Sequence, residues 1–315
     1  MTKPSLTELQ ASVQDTSAFV ALEQYCVLGT AFLQMVEDSQ PTRIVSPNDH
    51  RYVFYQYDRA FGHKITRPLN SALFIESSTE FDTAFERLVS FLSDLRMKGD
   101  SAVGSPSVQK YLESGELNQV VYTAQQSIGS IGDSFDNPNQ ARKRIGQLFE
   151  TLVRLCMQEI GFHCEPRTIY VPIPGTPDQT MAYELDLVFS RKSVVVAAES
   201  QLIHPDEIIG SVKTTSKDRI DKIFLDKFML SRLLGRDVKF VAIFLHDVQR
   251  AQRANSIFGI NSTFKTNHFL GYTMALNRLD GVYYVDPRPE MVSDLRLNRE
   301  IQNFQRFLTH DVWTL

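Results

Sequence analysis

Apolar positions in the first hundred residues recur three and four apart, which is the spacing of an amphipathic helix. The pattern runs from Phe19 to Met35 and again from Phe81 to Leu95. Between these stretches lies an aromatic-rich segment, Arg51 to Tyr57, whose composition favours a strand. Breaks at residues 99–107 and 129–139 are candidate linkers, because glycine, serine, proline and asparagine interrupt regular structure there. The pattern predicts a mainly helical N-terminal region, residues 1–130.

The rest of the chain, residues 131–315, mixes strand-like and helix-like patterns. Short apolar segments predict strands from Thr168 to Val171, Tyr183 to Phe189, Ser193 to Ala198, Ile208 to Lys213, Lys239 to Leu245 and Val282 to Val285. Helical spacing predicts helices from Gln140 to Ile160, Ser216 to Gly235 and Pro289 to Leu308. This order of elements predicts an α/β fold in which a mixed sheet is flanked by helices.

Composition narrows the class of protein. The 315 residues are 43% hydrophobic and 22% charged, as in an ordinary globular protein with a sizeable core. Apolar runs such as Val241 to Leu245 are far too short to span a membrane. The three cysteines show no CxxC spacing, and the first residues show no secretory signal. We therefore expect a reduced cytoplasmic protein with no membrane partner.

Charge alone does not decide whether the chain binds nucleic acid. The net charge of −4 excludes a generally basic nucleic-acid coat, whereas residues 131–315 are balanced, with 23 Lys+Arg and 22 Asp+Glu. A DNA-binding cleft needs only local basic residues, because attraction to phosphates decays over about 8–10 Å in physiological salt. The candidate chemistry must therefore come from particular side chains.

Two acidic residues share one face of a predicted strand. From Tyr183 to Phe189 apolar residues alternate, which places Glu184 and Asp186 together on the other face. Carboxylates that point the same way are costly unless a cation or water neutralises them, and Mg²⁺ prefers such oxygen ligands. Taken alone, however, the pattern is more typical of the exposed face of an edge strand.

A lysine follows at the end of a later strand. Lys213 closes the apolar segment that starts at Ile208, at the mouth of a predicted helix. A lysine beside a metal-binding carboxylate can orient an attacking water and stabilise the charge that grows on a phosphate. An acid on one strand and a lysine on a later one therefore indicate metal-dependent phosphodiester cleavage.

Asp186 followed by Ser211-Val212-Lys213 resembles the PD-(D/E)XK nucleases, especially the CCGG-recognising group of type II restriction endonucleases. In that group the acid two positions before the lysine is replaced, and a carboxylate on the following helix takes over its role. This chain has Ser211 at the replaced position. Asp226 lies 13 residues after Lys213, near the place of that carboxylate, where the group normally has glutamate. The resemblance implies that Asp186 and Asp226 bind Mg²⁺ and that Lys213 positions the water.

The triplet Lys217-Asp218-Arg219 matches the group's signature of a catalytic lysine, three residues, then basic–Asp–Arg. Ser216 suits an N-cap, which would place the triplet in the first turn of a helix. Lysine and arginine donate to guanine, and aspartate accepts from cytosine N4, so the triplet would read adjacent G·C pairs. The alternative is a solvated helix start in which the helix dipole favours Asp218.

The helix that starts at Gln140 resembles the family's basic helix with its Gly-x-x-Phe-Glu ending, here Gly146 to Glu150. Glu150, 36 residues before Asp186, would be an upstream acid that helps to hold the metal. Gln140 would reach a base edge, and phosphate contacts would come from Arg142, Lys143 and Arg144. Ordinary solvation of a helix explains these three basic side chains about equally well.

Two weaker features are assigned structural roles. The segment Thr176-Pro177-Asp178 contains a literal Pro-Asp but is predicted to be a turn. An aromatic cluster is expected to be core, although the resemblance raises the hypothesis that it stacks on a flipped base. The cluster consists of Tyr52, Phe54, Tyr55 and Tyr57.

The resemblance implies a homodimeric type II restriction endonuclease whose nuclease core is residues 131–315. Residues 1–130 would add DNA contacts or a dimer surface. The enzyme would use Mg²⁺ to hydrolyse double-stranded DNA to 5′-phosphates, at a palindrome with a CC/GG core, continuous or interrupted as in CCNGG. The alternatives are a repair or transposition nuclease of the same fold and a non-catalytic DNA-binding module on that scaffold.

Overall fold

The computed structural model describes residues 4–57, 66–192, 202–216, 219–253 and 255–315, apart from the side chain of Pro177. The chain divides into two compact units. Unit 1 comprises residues 1–94, 105–155 and 248–263, and unit 2 comprises residues 95–104, 156–247 and 264–315. No helix in the described ranges is both long enough and apolar enough to cross a membrane. The role predicted for residues 1–130 stays a prediction.

Unit 1 is mainly helical, as the spacing of apolar residues predicts. Its helices are α1 (Leu6–Gln14), α2 (Leu22–Ser39), α3 (Ser78–Lys98), α4 (Pro106–Ser114), α5 (Glu116–Gly132) and the first turns of α6 (Pro138–Glu159). A small antiparallel sheet consists of β1 (Thr42–Val45), β2 (Tyr52–Gln56) and β3 (Leu69–Asn70). Helix α5 is buried along nearly its whole length, including its polar residues Asn118, Gln125 and Gln126.

The aromatic cluster of β2 belongs to the core of unit 1. Tyr52 and Phe54 are 1% and 0% exposed, and Tyr55 and Tyr57 are also buried. Rings with so little exposed surface cannot stack on an extruded base without rearrangement. The packing role is confirmed, and nothing in the structure supports base flipping by these residues.

Unit 2 is built on a six-stranded mixed sheet with the strand order β11-β10-β7-β6-β5-β4. The strands are β4 (His163–Ile173), β5 (Thr176–Ser190), β6 (Ile208–Thr215), β7 (Lys239–His246), β10 (Gly281–Tyr284) and β11 (Ile301–Asn303). Strands β6, β7, β10 and β11 are parallel, whereas β4, β5 and β6 are antiparallel neighbours. The chain also forms a separate ribbon from β8 (Val248–Arg253) and β9 (Ser256–Ser262), within unit 1.

Helices α7 (Ile220–Leu234) and α8 (Thr266–Ala275) pack on the sheet of unit 2. Helix α7 buries Ile223, Phe224 and Leu230, which recur at helical spacing, against Phe240 and other sheet residues. Gly235, with a φ of +67°, ends this helix in the left-handed conformation that glycine adopts at low cost. This packing fixes which face of α7 stays accessible.

Several predicted elements need correction. Helix α7 begins at Ile220 rather than Ser216, because the backbone first makes a turn in which the Arg219 N–H donates to the Ser216 carbonyl. Thr176 to Asp178 belong to strand β5 rather than to a turn, and Gly175 turns the chain instead. The predicted strand from Ser193 to Ala198 lies outside the described residues.

The predicted C-terminal helix from Pro289 to Leu308 is also wrong. It is divided into α9 (Pro289–Ser293), α10 (Leu295–Asn298), strand β11 and further short helical segments. Asp294 and Asn303 each cap a new helical segment with their side chains. Such residues end one helix and start the next, so apolar spacing alone does not predict the outcome.

Candidate active site

Strand pairing brings Asp186 next to the end of β6. Leu187 on β5 is paired with Gly210 on β6, so the neighbouring Asp186 lies beside Ser211. One carboxylate oxygen of Asp186, Oδ2, accepts three hydrogen bonds. The donors are Ser211 Oγ at 3.1 Å, the Val212 N–H at 2.9 Å and Lys213 Nζ at 2.5 Å. The acid and the lysine predicted from the sequence are thus in direct contact.

The Asp186–Lys213 pair is sheltered but reaches solvent. The side chains are 18% and 24% exposed, which leaves the charges able to meet a ligand. Lys213 lies on a strand that is held on both sides, with Phe244 of β7 as its parallel partner. A charged pair that is fixed by the sheet and open to solvent is suited to binding an ionic substrate.

A cleft of about 680 Å³ opens above this pair, within unit 2. It is lined by β5, β6 and α7, and its polar lining residues are Glu184, Asp186, Ser211, Lys213, Arg219, Lys222 and Asp226. Three of the predicted site residues, Asp186, Lys213 and Asp226, therefore face one cavity. Arg219 lines it as well and is exposed at the N-terminus of α7.

Asp226 is the second carboxylate of the cleft. Burial raises its pKa, the ammonium of Lys222 opposes that shift, and the negative charge of Asp186 adds to it. Lys222, one helical turn earlier, places its Nζ 3.4 Å from Asp226 Oδ2. Tyr183 is close enough that its pKa is raised by burial and by the charge of Asp226. A cation in the cleft would offset the repulsion between the two carboxylates.

The donor set of the cleft suits Mg²⁺. No group of three or more His, Cys, Asp or Glu side chains that could hold a metal occurs in the described ranges. Mg²⁺ nevertheless needs only one or two carboxylates, since it keeps several waters and takes further oxygens from a bound phosphate. Asp186 and Asp226 are hard oxygen donors on one cavity and meet this requirement.

The remaining predicted residues belong to unit 1 or are not described. Glu150 is half-buried on the part of α6 that belongs to unit 1. Lys217 and Asp218 lie outside the described residues. Since α7 begins at Ile220, Arg219 precedes the helix instead of lying in its first turn.

The start of α6 presents polar side chains. Gln140, Arg142 and Lys143 are exposed, while Arg144 is half-buried. Arg142 donates to Asn139 Oδ1 and Arg144 to Gln147 Oε1, each at 3.1 Å. Both arginines thus contact neutral amides, and neither forms an ion pair with a carboxylate in the part of the chain that the structure describes.

The sequence did not single out three residues that shape the cleft. The Val212 N–H helps to fix Asp186, while Lys222 and Tyr183 surround Asp226. The position of Lys222, four residues before Asp226, was a usable signal, because such residues share a helix face. The contribution of Val212 comes from its backbone, which carries no side-chain signature.

No family model matches the chain, and no curated protein matches it. Among solved structures, the type IIP restriction endonuclease Kpn2I is similar, with a TM-score of 0.66 and 15% identity over 98% of this chain and 96% of that one. A complex of the restriction endonuclease PspGI with substrate DNA matches with a TM-score of 0.42 and 12% identity. This match covers 74% of this chain and 90% of the PspGI chain. The likeness to Kpn2I spans both chains almost completely. The predicted α/β fold, a central mixed sheet flanked by helices, is confirmed, and the likeness to Kpn2I fits the PD-(D/E)XK fold that the sequence resemblance implies.

Proposed function

We propose that the chain is a type II restriction endonuclease that uses Mg²⁺ to cleave double-stranded DNA. The observation that carries this proposal is the contact of Lys213 with Asp186 in a cleft that Asp226 also lines. The fold shared with Kpn2I supports it, because the contact lies on strands of the shared core. An acid–lysine pair of this kind is suited to phosphodiester hydrolysis.

Asp186 and Asp226 would hold the metal, with Glu150 as the upstream acid. The chemistry that Mg²⁺ would supply when bound is Lewis-acid polarisation of the phosphate and activation of water. Lys213 donates to the attacking water or to a phosphate oxygen and stabilises the negative charge of the transition state. Water oxygen bonds to phosphorus as the bond to the 3′ oxygen breaks, which yields a 5′-phosphate and a 3′-hydroxyl.

Recognition would come from the basic segments. Lys217, Asp218 and Arg219 would read a CC/GG core, continuous or interrupted by a central pair. The start of α6 would bind the backbone through Arg142, Lys143 and Arg144, with Gln140 at a base edge. A homodimer would match the symmetry of a palindromic site, each protomer cutting one strand.

Digestion of plasmid and phage DNA by the purified chain tests this function. With Mg²⁺ we expect discrete fragments whose sequenced ends share one palindromic site and carry 5′-phosphates. In EDTA we expect no cleavage.

Other digestion patterns would point to the alternatives. A smear of fragments would indicate a nuclease of the same fold with loose specificity, such as a repair or transposition enzyme. DNA binding without any cleavage would indicate a non-catalytic DNA-binding module.

A further inference from the structure

The ribbon of β8 and β9 lacks negative charge. Residues 248–262 contain no aspartate or glutamate, but two arginines, two glutamines and two asparagines. Most of these polar side chains are exposed, namely Arg250, Gln252, Arg253, Asn255 and Asn261. An acid-free exposed ribbon stands out in a chain whose net charge is −4.

Neither arginine of the ribbon is neutralised. Other arginines contact acids, as Arg87 does with Glu116 and Arg278 with Glu300. Arg250 and Arg253 form no ion pair with any residue that the structure describes. Arg253 resembles Arg142 on α6, since both donate to the side-chain oxygen of an asparagine. Uncompensated arginines of this kind are available to an anionic partner.

Arg253 is held across one face of the ribbon. A Cβ atom at Gly259 would lie 2.4 Å from Arg253 Cγ, so the arginine stem needs a glycine beneath it. Its guanidinium donates to Asn261 Oδ1 and, at 3.4 Å, to the Ile260 carbonyl. A guanidinium fixed in this way loses less conformational entropy on binding than a freely rotating one.

The opposite face anchors the ribbon in unit 1. Val248 and Ile260 pack against Tyr52 and Phe54 of β2 in a buried cluster. The Asn48 side chain clamps β9, since it donates to the Ile260 carbonyl and accepts from the Ile260 N–H, both at 2.9 Å. The free face, which carries Gln249, Arg253 and Asn261, is therefore presented on a rigid support. Arg250, the cross-strand partner of Ile260, lies on the anchored side and stays exposed.

From these contacts we propose that the β8–β9 ribbon binds duplex DNA through Arg253 on its free face and through Arg250, exposed on the other side, an inference that rests on the proposed function. A two-stranded ribbon is narrow enough for the major groove, which is about 12 Å wide. Arginine contacts phosphates or guanine, and glutamine and asparagine suit adenine. The ribbon begins at Val248, two residues after His246. His246 ends β7, and β7 pairs with β6, the strand that carries Lys213.

The salt dependence of DNA binding tests the ribbon directly. A fluorescein-labelled 30-bp duplex without a CC/GG core is titrated with the full chain in EDTA at several salt concentrations. For Arg250→Ala/Arg253→Ala we expect weaker binding and a slope of log K against log[salt] that is lower by about 2, since each lost phosphate contact removes about 1. Arg253→Lys keeps the charge and should keep the wild-type slope.

Arg299→Ala is the matched control. Arg299 is exposed and unpaired among the described residues, and its removal should leave the slope unchanged. Equal slopes and affinities for the double variant and the wild type would overturn the ribbon proposal while leaving the nuclease proposal intact. A wild type that does not bind the duplex at all would also overturn the ribbon proposal. The nuclease proposal fails only if digestion in Mg²⁺ gives no specific fragments, so the two failures are distinguishable.

Discussion

The candidate site depends on one carboxylate oxygen. Asp186 Oδ2 receives a hydroxyl, a backbone N–H and an ammonium, so its position is fixed by β6 and not by its own rotamer. Two of the three donors are side chains that the sequence resemblance singled out, Ser211 and Lys213. Fixing the acid before a ligand arrives reduces the reorganisation needed at the transition state.

Removal of the lysine should affect cleavage more than DNA binding. We expect Lys213→Ala to lower the Mg²⁺-dependent cleavage rate by about 10²–10³-fold, because the donor acts on charge that develops in the transition state. Single-turnover cleavage and duplex binding are measured side by side. Lys192→Ala is the control, since Lys192 also lies 2.5 Å from an aspartate, Asp206, but is 68% exposed. Comparable rate losses in both variants would contradict the assignment.

In the absence of metal, the ionised carboxylate of Asp226 should lower the free energy of unfolding. Burial and the charge of Asp186 raise its folded-state pKa above the unfolded value. The folded state therefore favours the protonated carboxyl group, and the free energy of unfolding falls as the pH rises through the folded pKa. We therefore expect Asp226→Asn to unfold at a higher temperature than wild type at pH 7 in EDTA. The advantage should vanish below about pH 3.9, the unfolded value for aspartate.

In Mg²⁺ we expect the opposite order, with the wild type more stable than Asp226→Asn, because a ligand that binds only the folded wild type stabilises it. Asp178→Asn changes an exposed acid on β5, and it should leave the melting temperature unchanged both in EDTA and in Mg²⁺. A wild type that is more stable than Asp226→Asn in EDTA at pH 7 would show that the carboxylate is not strained in the folded state.

Among the elements, those that carry the site were the easiest to predict. Alternating residues around Asp186 and the apolar strand that ends at Lys213 are local patterns, and both strands form where expected. The pairing of β5 with β6 is non-local, so the contact between the two residues followed from the family resemblance and not from periodicity. The start of α7 was missed because Ser216 is an equally good residue for a buried turn.

The β8–β9 ribbon and helix α5 are examples of elements that local sequence patterns describe poorly. The ribbon has few apolar residues, and its inward face is recognisable only through its contacts with Tyr52 and Phe54. Helix α5 buries polar residues as well as apolar ones, and their partners, such as the Ile145 carbonyl that accepts from Gln125, are not visible in a local pattern. Strand β11 is three residues long and pairs only with β10. In each case the information lies in partners that are distant in sequence.

Helix α7 is anchored by a buried lysine next to the candidate acid. Lys227 Nζ lies 2.7 Å from both the Arg278 carbonyl and Asp280 Oδ2, and its side chain is 2% exposed. We expect Lys227→Met to lower the free energy of unfolding by about 2–3 kcal/mol, since it leaves these acceptors without their cation. Denaturant unfolding measures the change. Lys192→Met removes an exposed ion pair and should leave the free energy of unfolding nearly unchanged. Equal losses in the two variants would show that Lys227 is not an anchor.

At the level of the whole molecule, the proposal requires two copies of the chain. Cleavage of both strands at a palindrome calls for two active sites related by two-fold symmetry. Sedimentation equilibrium should therefore give a mass of twice the 35.9 kDa chain at micromolar concentration. A monomeric mass both alone and with duplex DNA would contradict the dimer.

The central claim is that Asp186 is part of a metal-dependent DNA cleavage centre. Its most direct test is cleavage of one DNA substrate by wild type and by Asp186→Ala, each in Mg²⁺ and in EDTA, with folding checked by circular dichroism. We expect specific cleavage only by the wild type in Mg²⁺, with a folded and inactive Asp186→Ala variant. Cleavage that survives in Asp186→Ala, or that proceeds equally well in EDTA, would contradict it.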